Sequence, residues 1–222
     1  VPIYPSSSLS QIQWIVEDSG AVLAITESRE HSELVAHLKL QDDGKPALKN
    51  SPSQLRRILE INSSAIDTLM FEGRELSNDV VDARIAATKT DDLASLVYTS
   101  GTTGRPKGCM LTHRNWLAET LGLLTNPIGG IAVPGNHVLT FLPLAHVLAR
   151  AVSLAVAMSG ASQNHWSDFS TITIEFQRSR PNLILGVPRV FEKVRNGAAA
   201  KAKDGGAVKG AIFRESEKVA IE

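Results

Sequence analysis

The run Tyr98-Thr99-Ser100-Gly101-Thr102-Thr103-Gly104-Arg105-Pro106-Lys107-Gly108 carries the densest chemistry in the chain. Gly101, Gly104 and Gly108 permit positive φ and let backbone approach a ligand closely. Successive N–H groups in such a turn make an anion-binding nest. Ser100, Thr102 and Thr103 add hydroxyl donors, and Lys107 adds a compact positive charge suited to phosphate. One charge-assisted hydrogen bond contributes only about 1.5–3 kcal/mol, but several converging on a polyphosphate make a site. The spacing is neither the G-x-x-x-x-G-K-[ST] of a P-loop nor the G-x-G-x-x-G of a dinucleotide fold. A solvent-exposed turn of small polar residues is the plainer alternative. The run is eleven residues long, follows an apolar strand pattern and closes in Pro-Lys-Gly, which favours a phosphate cradle.

Such a loop needs rigid elements to hold it. Residues 93–99 (LASLVYT) form the clearest strand pattern and feed straight into the run. Thr112 is placed to cap a helix to about residue 124. Upstream, Leu9, Ile12, Ile15 and Val16 recur at helical spacing with Gly20 as a stop. Residues 21–26 then read as a buried strand, 32–40 as a helix, and Asp42-Asp43-Gly44-Lys45-Pro46 as a breaker. Residues 56–61 are assigned to a strand, 71–77 to a loop, and a helix capped by Asn78 runs to 87. Downstream, strands are predicted at 138–142, 161–166 and 183–187, and helices at 145–158, 171–178 and 191–203. Pro188 suits a helix start, where a missing N–H costs nothing. Residues 196–210, rich in Ala, Gly and Lys, read as a mobile surface spacer, and 208–222 as helical. This alternation predicts an α/β fold with mostly parallel sheets flanked by helices.

Composition sets limits on function. The 222 residues are 43% hydrophobic and 21% charged, enough for a packed core. Lys plus Arg and Asp plus Glu number 23 each, so the chain lacks the basic excess of a nucleic-acid binder. One cysteine, Cys109, forbids an internal disulfide and fits a reducing, cytoplasmic setting. No apolar run reaches the ~18 residues of a membrane span. Residues 1–10 lack a signal-peptide pattern, and no initiator Met is present, so the chain is expected to be a segment of a longer one.

Residues 98–108 resemble the signature of the adenylate-forming (AMP-binding) superfamily, which contains acyl-CoA synthetases, peptide-synthetase adenylation domains and luciferases. Phe141-Leu142-Pro143-Leu144-Ala145-His146-Val147-Leu148-Ala149-Arg150 is similar to the Leu-Pro-Leu-x-His block of long-chain acyl-CoA synthetases, with Ala-Arg where many members have Glu-Arg. Gly186-Val187-Pro188-Arg189-Val190-Phe191-Glu192-Lys193 and the opening Val1-Pro2-Ile3-Tyr4-Pro5 resemble the same branch, in its actinobacterial form.

The resemblance implies that residues 1–222 are part of a large N-terminal AMP-binding domain, with its start, its later motifs and the C-terminal domain absent. It implies ATP-dependent activation of a long-chain fatty acid to acyl-adenylate, then transfer to coenzyme A with AMP and pyrophosphate released. Thr99, Ser100, Gly101, Thr102, Thr103, Gly104, Lys107 and Gly108 are then the ATP-phosphate residues, with Thr99 the Mg²⁺ contact and Lys107 and His146 catalytic. Adenylate transfer to another acceptor and a non-catalytic nucleotide-binding module are the competing readings. This segment alone is expected to be inactive.

Fatty acid, ATP and coenzyme A are the implied partners, and a lipid substrate is compatible with peripheral membrane contact. His146 reads equally as a structural helix cap. Arg189, His113 and Arg114 read as anion contacts or as helix-start residues making ordinary surface pairs. Cys109 reads as packing. Asp42-Asp43 and Asp91-Asp92 read as turn or cap residues.

Overall fold

A computed structural model describes residues 1–40, 54–99 and 105–221. The backbone divides into two units, Val1–Gly122 with Leu144–Ala151, and Leu123–Pro143 with Val152–Glu222.

The first unit opens with α1 (Leu9–Ser19), whose ends are specified locally. Ser8 and Gln11 form a reciprocal capping box, and Gly20 closes the helix at φ 64°. Ile12 and Val16 pack with Val35, Leu38 and Leu55 into the core of this unit. Strand β1 (Leu23–Thr26) leads to α2 (Arg29–Leu40), and β2 (Arg57–Glu60) pairs with β1 in parallel, Ala24 opposite Ile58. Ala24 and Ile58 lie against the same core, while Leu23 and Ile25 are exposed, so β1 is one-sided, not fully buried as expected.

Next come α3 (Ala65–Gly73) and α4 (Asn78–Ala87). The first half of the expected 71–77 loop is therefore the last turn of α3. Ser77, one residue before the expected Asn78, caps α4 by accepting from the Asp79 N–H.

Strand β3 (Leu93–Thr99) and β4 (Lys107–Thr112) form an antiparallel hairpin. The sequence reading placed β3 correctly but missed β4. Thr112 does cap the helix that follows, α5 (His113–Thr125): its Oγ1 accepts from the Asn115 N–H while Asn115 Oδ1 accepts from the Thr112 N–H.

The second unit is built on a parallel sheet. Strand β5 (His137–Thr140) lies between β6 (Ser162–His165) and β7 (Leu183–Leu185). Val138 and Leu139 on this middle strand are fully buried, as its position between two neighbours requires. Asn182 and His137 clamp the start of the β5–β7 pair, each donating a backbone N–H to the other residue. Helix α6 (Val147–Ser159) connects β5 to β6, and α7 (Ile172–Ser179) precedes β7. Gln163 Nε2 donates to Thr140 Oγ1 and Ser153 Oγ, both at 2.8 Å, joining β5, β6 and α6.

Helix α8 (Pro188–Asp204) starts on Pro188, as the fixed φ of proline favours, and α9 (Ala207–Ile221) follows after a two-residue break. The Ala/Gly/Lys-rich stretch 196–210 is therefore mostly helix, not spacer. Alanine and lysine are strong helix formers, and the break falls at Gly205 and Gly206. Asp42-Asp43 and the breaker around them lie outside the described residues.

Candidate functional site

The β3–β4 hairpin carries the ends of the glycine-rich segment. Ser100, Gly101, Thr102, Thr103 and Gly104 lie outside the described residues; Thr99, Lys107 and Gly108 lie within them. Thr99 is directly opposite Lys107, and Tyr98 is opposite Gly108. Opposed residues in an antiparallel pair project to the same face, and successive residues to opposite faces. Thr99 and Lys107 therefore share one face, and both are exposed. Among the described residues no hydrogen bond or ion pair engages the Lys107 ammonium, so a hydroxyl and a cation are presented side by side.

The other face holds Tyr98. Its ring lies over Gly108 so closely that an added Cβ would stand 3.0 Å from Cζ and 3.1 Å from Oη. Gly108 is thus needed here for its missing side chain. The Tyr98 hydroxyl donates to Asp18 Oδ2 of α1 at 2.6 Å. Burial, reinforced by this carboxylate, pushes the phenol above the ordinary tyrosine range. On the exit side, Trp14 Nε1 donates to the Pro106 carbonyl at 2.7 Å. The Arg105 guanidinium sits over the Trp14 ring, 4.7 Å from its centroid.

His146 lies just before α6. Its Nδ1 accepts from the Leu148 N–H at 3.3 Å, so the exposed imidazole caps the helix. One turn on, Arg150 reaches β3, donating to Ser95 Oγ, with its guanidinium 5.1 Å from the Trp116 ring centroid. Burial lowers its pKa. Its Nε and Nη2 are buried without a hydrogen-bond partner among the described residues. The sequence departure at 149 bears on this. Ala149 is fully buried, and its methyl side chain supplies no carboxylate beside Arg150.

The remaining candidates separate clearly. Arg114 makes a bidentate pair with Asp91, at 2.7 and 3.0 Å, and a bond to Thr90. That guanidinium holds the Asp91 carboxyl below the ordinary carboxylate range. Asp92 accepts from the Lys89 N–H, a turn role. Arg189 is exposed in the first turn of α8. Cys109 is exposed on β4, so the expectation that it packs inside is corrected. It follows Gly108 on the two-sided surface of a hairpin, where a small thiol needs no cover. Trp14 and Asp18 are the site residues that sequence reasoning missed. Their only signal is an i,i+4 pairing on the side of α1 away from Ile12 and Val16.

The chain belongs to the AMP-binding enzyme family, whose model matches residues 1–217. It is 39% identical over its whole length to the long-chain-fatty-acid–CoA ligase FadD15 of Mycobacterium bovis, and spans 35% of that protein's length. It is 28% identical, over 88% of its length, to the long-chain-fatty-acid–CoA ligase ACSBG2 of Rattus norvegicus, spanning 30% of it. In fold it is similar to the inhibitor-bound N-terminal domain of FACL13 from Mycobacterium tuberculosis, with TM-score 0.64, 20% identity, and coverage of 87% of this chain and 44% of that one. It is also similar to the A-PCP didomain of carboxylic acid reductase from Segniliparus rugosus in complex with AMP, with TM-score 0.64, 24% identity, and coverage of 93% and 31%. The mixed α/β architecture with parallel sheets is that of adenylate-forming N-terminal domains. Among the described residues no helix is long and apolar enough to cross a membrane.

Proposed function

We propose that this chain is the ATP-phosphate-binding part of a long-chain-fatty-acid–CoA ligase. The reading is carried by one observation: Thr99 and Lys107 face each other, exposed, on a hairpin, with Ser-Gly-Thr-Thr-Gly-Arg-Pro between them in sequence. Family membership and the 39% identity to FadD15 support it.

In the proposed reaction the fatty carboxylate attacks the α-phosphorus of ATP, a P–O bond forms to the acyl oxygen, and pyrophosphate leaves. The thiol of coenzyme A then displaces AMP and forms the thioester. Ser100, Gly101, Thr102, Thr103 and Gly104 would hold the β- and γ-phosphates with Lys107, whose ammonium neutralises charge on the departing pyrophosphate. Gly108 leaves room for the Tyr98 ring behind the site.

Thr99 is the Mg²⁺ contact in this reading. Among the described residues no group of three acidic, His or Cys side chains is placed to hold a metal. One hydroxyl suits Mg²⁺ that arrives on ATP and keeps phosphate oxygens and waters as its other ligands. The metal would supply charge neutralisation across the phosphates. His146 is assigned to the acyl-adenylate side, holding its ring through the α6 N-terminus. A cytoplasmic enzyme, with any membrane contact peripheral and lipid-driven, fits this substrate set.

The test is ATP–pyrophosphate exchange with a long-chain fatty acid, using the complete gene product. Lys107→Ala is expected to lower kcat/KM about 10- to 100-fold, the factor for one charge-assisted contact. Unchanged exchange overturns the assignment. Product analysis separates the competing readings: a coenzyme A thioester supports the ligase, whereas adenylate without thioester supports an enzyme with another acceptor.

A further inference from the structure

We infer that Trp14 and Asp18 are positioning residues for the phosphate site: one face of α1 holds both stems of the β3–β4 hairpin and so sets where Thr99 and Lys107 stand. This rests on the phosphate-binding reading of that hairpin.

Trp14 and Asp18 are four residues apart and so share a helix face. Their contacts land on either side of residues 99–105 in sequence. Asp18 takes the Tyr98 hydroxyl on the strand that enters, and Trp14 takes the Pro106 carbonyl one residue before the strand that leaves. These partners lie 80 and 92 residues away in sequence. The two bonds flank the two reporting residues directly: Tyr98 precedes Thr99, and Pro106 precedes Lys107.

The hairpin's ladder runs from Thr99–Lys107 back to Leu93–Thr112 on its own backbone bonds. What α1 adds is a fixed reference. The helix is capped at both ends and packed through Ile12 and Val16 on its opposite side. The Trp14 ring also carries Arg105, and Gly108 lets the Tyr98 ring lie flat. Tyr98, Arg105 and Pro106 thus each have a contact with α1. Charge placed with this accuracy matters because catalysis by positioning is lost over displacements of about 1 Å.

The experiment uses the complete gene product and four variants, with KM for MgATP and for the fatty acid measured separately beside Tm. Trp14→Phe keeps an aromatic ring beside Arg105 and removes the N–H donor together with the fused pyrrole ring. Tyr98→Phe removes only the hydroxyl. Each is expected to raise KM for MgATP about 3- to 10-fold, the factor of one net hydrogen bond, and to leave KM for the fatty acid unmoved. Asp18→Asn keeps an acceptor for Tyr98 and is expected to disturb KM for MgATP less than Asp18→Ala does.

Lys107→Ala is run alongside. If it is impaired while Trp14→Phe and Tyr98→Phe keep the wild-type KM for MgATP, the positioning role is overturned and the phosphate-site reading stands. If the variants lose Tm with neither KM moved, their role is structural only, and the inference is again overturned. If Lys107→Ala is fully active, the phosphate-site reading fails and this inference falls with it.

Discussion

At Gly108 the space for a side chain is already filled. A Cβ there would stand 3.0 Å from Tyr98 Cζ, closer than carbon atoms normally approach, and the neighbour is a ring tied at its far end to Asp18. The ring cannot retreat without stretching that bond. Gly108→Ala is therefore expected to cost about 1–3 kcal/mol, as overpacking typically does. The same change in a Tyr98→Leu background should cost much less, because the obstructing ring is gone. Equal losses of Tm in both backgrounds contradict this account.

Tyr98 offers a second check. Its phenol is held above the ordinary tyrosine range by burial and by the Asp18 carboxylate, both of which oppose the phenolate. With the folded value raised, the stabilisation is fully present below the unfolded pKa of about 10 and is lost as pH rises through the folded value. In a Tyr4→Phe background the remaining tyrosine of the chain should show no phenolate absorbance at pH 10 while the protein is folded. Half-ionisation there would mean that Asp18 does not engage it.

Among the elements, α1 has the most explicit local instructions, and its stability can be dissected. Ser8→Ala removes one half of the capping box and is expected to cost about 1 kcal/mol. Gly20→Ala forces a Cβ into a left-handed position at φ 64° and should cost a similar amount. Both should lower Tm, and both should also raise KM for MgATP if the helix serves as the reference for the hairpin. In the parallel sheet, Leu139→Ala on the fully buried middle strand should cost about 2–5 kcal/mol, read as a loss of Tm.

The same elements show what the sequence made legible. Helix α1 was readable because Ile12, Ile15 and Val16 keep the helical period and Gly20 stops it. Strand β3 was readable as a β-branched and aromatic run. Strand β4 was not, since Lys107-Gly108-Cys109-Met110-Leu111-Thr112 shows no alternation. It becomes a strand by pairing with β3 across the turn, a non-local cause. Of the candidate site, the glycine-rich run was legible because its residue types carry their own chemistry. Trp14 and Asp18 were not, because their partners are 92 and 80 residues distant and nothing within α1 names them.

At the scale of the whole molecule, these residues account for one side of a reaction that needs several. The chain spans 35% of FadD15, and in the proposed reading Thr99, Lys107 and the residues between them in sequence address the ATP phosphates. Adenylate formation also requires the carboxylate to be held in line with the α-phosphorus and the adenosine to be fixed, each by groups preset in place. Arg114 is paired with Asp91 and so is not free for the remaining charge, and His146, with its Nδ1 on the α6 backbone, has only its Nε2 to offer. Phosphate binding without the rest of the constellation stabilises ground and transition states alike and does not accelerate the chemistry. The polypeptide of residues 1–222, purified free of other synthetases, is therefore expected to show no ATP–pyrophosphate exchange above background, while the complete gene product does. Exchange by the shorter polypeptide that is abolished by Lys107→Ala would show that the acyl and adenosine contacts also lie within these 222 residues, and would move the search for them to the faces of α5 and α6.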